Sequence, residues 1–205
     1  MNAPTSARLP RLLVVFATFL AGLGVCLGAI LYFSPRGPGA GAISIPTAQI
    51  GGPFRLVDQN GAQFSDQDLK GKTFLVFFGF THCPEVCPTA LFEMSEILRQ
   101  LGSDADRTAV VFITVDPERD TPESLKDYLA SFDPHIHGLT GDPAAVAAVA
   151  KAYRVYFKKV PLEGGDYTMD HTAIVYLMDK DGRFVSPFNV KRTPDVAAAD
   201  LRKYL

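Results

Sequence analysis

An uncharged apolar run over residues 12–33 (LLVVFATFLAGLGVCLGAILYF) sets the first limit on what this chain can become, because so much contiguous apolar surface is unstable in water. As a helix rising about 1.5 Å per residue, it spans roughly the 30 Å of a bilayer's hydrocarbon layer. A cleavable signal has an apolar region of only about 7–15 residues, so this segment reads as a transmembrane anchor even though Ala40-Gly41-Ala42 has the form of a cleavage site. Arg8 and Arg11 precede the run and Arg36 alone closely follows it, which places residues 1–11 in the cytoplasm and the remainder on the far side. Cys26 lies inside the span, after a Leu23-Gly24-Val25 context poorly suited to lipid attachment, and is read as a packing thiol.

Residues 34–53 are rich in Gly, Pro and Ala without a period, as befits a tether. Residues 54–205 form one domain of ordinary size, and a chain that is 47% hydrophobic has material for its core. The net charge of -2, with Lys and Arg dispersed, excludes a nucleic-acid footprint.

Within the domain, residues 54–57 and 62–64 flank an Asp58-Gln59-Asn60-Gly61 turn and read as a hairpin. TFLVFFGF (73–80) and AVVFITV (109–115) are continuous apolar runs of strand length, buried on both faces. Residues 88–101 carry one apolar helical face and stop at Gly102. Thr121-Pro122, Asp142-Pro143 and Thr193-Pro194 each pair an N-cap with a first-turn proline and open three more helices. Residues 173–178 and 183–185 read as a late strand pair around Asp179-Lys180-Asp181-Gly182, whereas 158–170 reads as a polar loop. The sum is an α/β three-layer domain with a mixed sheet and an N-terminal hairpin.

The chemistry concentrates in Thr81-His82-Cys83-Pro84-Glu85-Val86-Cys87-Pro88, between a buried strand's C-terminal end and a helix, where open α/β sheets place ligand sites. The prolines put Cys87 near the N-cap with Pro88 as first helical residue, and helix N-terminal amides favour thiolate there. A disulfide closing so small a loop stabilises little, which leaves redox or metal chemistry. His82 is read as an exposed loop imidazole, His135-Ile136-His137 as part of a solvated loop, and Asp116, Glu118, Arg119 and Asp120 equally well as a docking surface or a charged turn.

FGFTHCPEVCP (78–88), VDPERDTPE (115–123) and Asp170-His171 before an apolar strand together resemble the Sco/SenC family of copper proteins. The resemblance implies a thioredoxin-like fold and one copper per chain, Cu(I) or Cu(II), held by Cys83, Cys87 and His171. It also implies delivery to the copper-bearing subunit of cytochrome c oxidase rather than enzymatic turnover, with a thiol reductant or another copper carrier as further partners. Two thiolates and an imidazole are a soft, low-coordinate set suited to copper, whereas structural zinc expects four closed ligands.

Two rival roles use the same segment. A thiol-disulfide reductase could keep the oxidase's copper-ligand cysteines reduced, although the spacing is Cys-x-x-x-Cys and no proline stands between Pro161 and Pro187 to face the cysteines. A peroxiredoxin-like peroxidase would need a partner arginine and a Thr-x-x-Cys context that Thr81 and Cys83 do not supply. The short N-terminus, without a transit peptide, points to a bacterial inner membrane with the domain in the periplasm.

Overall fold

The computed structural model describes residues 9–33 and 49–205. The expected cytoplasmic segment and tether therefore lie mostly outside the described residues. Two units are distinct. The first contains helix α1 (Leu9–Phe33), whose apolar stretch Leu13–Tyr32 is long enough to cross a membrane. Its side chains, among them Leu13, Phe16, Phe19, Leu23 and Leu31, are exposed.

The second unit is built on a seven-stranded mixed sheet of order β2-β1-β5-β4-β3-β8-β9. β1 (Arg55–Asp58) and β2 (Gln63–Ser65) are the expected hairpin. Asp58 closes its turn by accepting bonds from the Asn60 and Ala62 amides. β3 (Thr73–Gly79) and β4 (Thr108–Thr114) run parallel at the centre, and every residue of both is buried. That burial explains their apolar interiors, with threonine only at the strand ends, since helices must cover both sheet faces for such strands to leave water. β5 (Ile136–Thr140) lies parallel to β4 on its other side, while β8 (Val175–Met178) and β9 (Phe184–Pro187) extend the sheet antiparallel beyond β3.

The helices are α2 (Val86–Leu101), α3 (Pro122–Leu129), α4 (Pro143–Ala152) and α5 (Pro194–Leu201). Thr121 caps α3 by accepting the Ser124 amide, and Asp142 caps α4 by accepting that of Ala144. α2 packs its Leu91, Met94, Leu98 and Leu101 face into the core, alongside α5.

The structure departs from the sequence-based expectation in three places. Ile136 and His137, expected in a solvated loop, belong to β5, a largely buried strand between β1 and β4 whose short run is broken by His137 and Gly138 and so carries no clear apolar signal. Residues 158–170 are not a loop. They belong to a separate two-stranded antiparallel sheet, β6 (Phe157–Pro161) with β7 (Tyr167–His171), in register from Phe157 opposite His171 to Pro161 opposite Tyr167. Polar composition concealed it because only Met169 is buried along the pair. Helix α2 also begins earlier than expected, with Glu85 as N-cap, so Cys87 occupies the second helical position and Pro88 the third. First-turn amides have no intrahelical acceptor, so a proline there loses nothing.

Candidate metal centre

The loop joining β3 to α2 crosses the C-terminal ends of β3 and β4, and a buried carboxylate fixes it. Asp120, fully buried, accepts the Thr81 amide at 3.0 Å, the Thr81 hydroxyl at 2.6 Å and the Thr114 hydroxyl at 2.6 Å. Its backbone carbonyl accepts the Thr140 hydroxyl at 2.7 Å. An acid that looked like one member of a charged turn thus ties the loop to β4 and β5. Its signal in the sequence was its place two residues before a helix proline, which was not enough to predict burial.

The loop delivers two free thiols of unequal character. Cys83 is partly exposed, and its Sγ accepts the Cys87 amide at 3.3 Å, so the sulfur occupies an anion-binding place at the helix start. Cys87 is fully buried, packed so closely on Gly79 that a Cβ there would lie 2.7 Å from its sulfur. Burial pushes the Cys87 thiol well up, against the expectation that the helix start would favour its thiolate. A soft cation bound at the sulfur reverses that balance, because a coordinating thiol is deprotonated outright.

His171 ends β7 and meets Cys87 from the other side, its Nε2 3.9 Å from the Cys87 sulfur. Its Nδ1 lies 3.2 Å from the Thr172 carbonyl, and as donor there it leaves the Nε2 lone pair directed at the thiol. Burial lowers the His171 pKa, which keeps the ring neutral and able to ligate. Phe80 packs edge-on against the imidazole at 5.8 Å between centroids. Asp170, next in the strand, is exposed on the opposite face, as the alternation of a strand requires.

Bonds of about 2.0–2.3 Å to nitrogen and sulfur add up to a reach of roughly 4.3 Å, so one ion fits between Cys87 and His171 at their present separation. The second sulfur stands beside the first: Cys83 Sγ accepts the Cys87 amide, and its contact with the Cys87 thiol adds to the rise of that thiol's pKa.

The remaining candidates separate cleanly. His82 is exposed, 3.0 Å from the Thr81 hydroxyl and 4.0 Å from Asp120. His135 bridges Asp133 at 2.7 Å and Asp106 at 3.1 Å, while His137 lies on β5 and stacks on Phe64. Neither of that pair approaches the cysteines. Asp116, Glu118 and Arg119 dock the β6–β7 hairpin onto the end of β4.

The SCO1/SenC family model matches residues 43–205. A SCO2-like protein of Rickettsia felis is 37% identical over 186 residues, covering 89% of this chain and 91% of its own. The copper-bound structure of Bradyrhizobium japonicum ScoI aligns with a TM-score of 0.75 at 67% identity, over 76% of this chain and 99% of that one. BsSco, a member of the Sco family of cytochrome c oxidase assembly proteins with a disulfide switch, aligns at 0.62 and 26% identity, over 76% of this chain and 94% of its own.

Proposed function

The chain belongs to the SCO1/SenC family, whose thioredoxin-like fold it has, and from that premise we propose that it carries one copper ion between Cys83, Cys87 and His171 and delivers it to the binuclear copper site of cytochrome c oxidase. The observation that carries this reading is the convergence of an imidazole lone pair and a buried thiol, 84 residues apart in sequence, at 3.9 Å. Copper is cargo here. The two sulfurs suit Cu(I), and the imidazole adds the nitrogen donor that Cu(II) prefers. Departure of His171 leaves a two-thiolate site from which the ion passes by ligand exchange to an acceptor's cysteines. The role is delivery, without turnover of a substrate.

Residues 12–33 anchor the chain in a bacterial inner membrane, residues 1–11 face the cytoplasm, and residues 34–53 tether a domain of residues 54–205 in the periplasm. The apolar helix and the arginine asymmetry around it support this arrangement.

The free state of both thiols, and the disulfide switch of BsSco, favour a second role on the same residues. As a reductase, the dithiol would give two electrons and two protons to an acceptor disulfide and itself become the Cys83–Cys87 disulfide. Metal analysis of the reduced and oxidised forms tests the first reading. The reduced protein should hold one copper per chain and the disulfide form none, since oxidation removes both thiolates. Full loading of the oxidised form would exclude the proposed ligands.

A further inference from the structure

The β6–β7 sheet that carries His171 pairs with no strand of the main sheet, so its position depends on side-chain contacts. Met169 packs into the core with Phe157 and Tyr167 against it, and the polar contacts gather at Arg119, in the turn between β4 and α3. Its Nη1 donates to the Tyr167 carbonyl at 3.0 Å and to Asp166 at 3.3 Å, and its guanidinium carbon stands 3.8 Å above the Tyr167 ring. Its Nε donates to buried Asp116, whose other oxygen accepts the Tyr167 hydroxyl at 2.9 Å. Lys159 adds an exposed pair with Glu118 at 2.7 Å and lies 4.1 Å from the same ring.

The Arg119 side chain is only 17% exposed, and its Nη2 is buried with no hydrogen-bond partner among the described residues. A cation placed so deeply against a carboxylate and an aromatic face fixes geometry in a way that the exposed Lys159–Glu118 pair does not. Tyr167, Met169 and His171 occupy alternate positions of β7 and so share one face, the side on which Met169 is buried. Any motion that lifts Tyr167 from Arg119 rotates the face that also presents His171.

We propose that Arg119, clasping Tyr167 against Asp116, is a positioning residue that latches the β6–β7 hairpin and sets how long His171 stays beside Cys87. The Arg119, Tyr167 and Asp116 cluster touches neither sulfur and acts through the strand. Only the last step, retention of copper, rests on the copper reading above.

The test uses the full chain in detergent and compares the parent with Arg119→Ala and Tyr167→Phe. The second variant keeps the ring under the guanidinium and loses only the bond to Asp116. In the reduced metal-free protein, Arg119→Ala should raise amide hydrogen exchange in β6 and β7 by about tenfold and leave β3 and β4 unchanged, with a smaller rise for Tyr167→Phe. Cu(II) dissociation into a chelator should quicken in the same order, while Cu(I) affinity changes by less than about twofold because the thiolates retain it. Unchanged hairpin exchange overturns the latch, as does an equal rise in β3 and β4, which would mean general loosening. Faster exchange with unchanged Cu(II) dissociation overturns the link to His171. A parent protein that takes up no copper defeats the copper reading instead, and the exchange data still decide the latch.

Discussion

Replacing Asp120 by alanine should cost about 3–4 kcal/mol of stability and disorganise the cysteine loop, without removing any sulfur or imidazole. The carboxylate makes three hydrogen bonds in a site with no solvent exposure. Bonds to a charged group contribute about 1.5–3 kcal/mol each, but they are not additive, and deletion also relieves the desolvation of a buried charge. The Thr81 and Thr114 hydroxyls can rotate toward other acceptors, whereas the Thr81 amide is fixed by the backbone and is left unsatisfied. Against a total of roughly 5–15 kcal/mol, such a loss lowers the melting temperature by about 8–15 °C for a domain of this size. A carboxamide at the same position offers its oxygen to the Thr81 amide and its NH2 to the Thr81 hydroxyl, so Asp120→Asn should cost only about 1 kcal/mol. Thermal unfolding of the reduced metal-free proteins, with the labelling rate of Cys83 as a reporter of the loop, gives both readings. An alanine variant within about 1 kcal/mol of the parent, or an asparagine variant as damaged as the alanine one, would refute the reasoning.

A methyl group at Gly79 would stand 2.6 Å from the Phe112 ring and 2.7 Å from the Cys87 sulfur, so Gly79→Ala should cost about 1–3 kcal/mol and displace that thiol from His171. Denaturant unfolding together with the Cys87 labelling rate checks it, and parent-like values in both would contradict the packing described. His135 has a raised pKa, first through its bond to Asp106 and then through that to Asp133. Its folded state therefore holds the proton more tightly than the unfolded chain, and the stabilisation is complete below the unfolded pKa of about 6.5 and fades as pH rises through the folded value. Stability curves of the parent and His135→Gln should differ by less than about 1 kcal/mol in mild acid and converge in alkali; a gap independent of pH would refute the assignment.

The parts of the fold that were legible in the sequence are those where one physical demand dominates. β3 and β4 announce themselves because strands buried on both faces are apolar through their interiors, with threonine only at their ends, and α3 and α4 because a cap followed by proline has few other uses. The β6–β7 hairpin was missed because its apolar contribution is small, Met169 in the core with Phe157 and Tyr167 against it, and its other partners, Arg119, Asp116 and Glu118, are far away in sequence. The alternation of Tyr167, Met169 and His171 was the one local sign of it. Asp120 was illegible for a similar reason: acids of turns and buried acids look alike until their partners, Thr81 and Thr114, are placed. Cys87 was misjudged chemically because the helix start favours thiolate while burial opposes it, and only the structure reveals how complete the burial is. His171 was identifiable through the family resemblance, since nothing in its neighbourhood distinguishes it from an ordinary strand-end histidine.

If His171 is a copper ligand needed for delivery, its loss must be felt at the oxidase. The most direct measurement compares His171→Ala with Cys83→Ser and Cys87→Ser in one strain, reading assembled oxidase and its copper content together. All three should fail to load the oxidase, and purified His171→Ala should lose most thiolate-to-Cu(II) absorption while keeping more of its Cu(I). If His171→Ala loads the oxidase as well as the unmodified protein does, while the cysteine variants do not, copper delivery is contradicted and the thiol reductase takes its place.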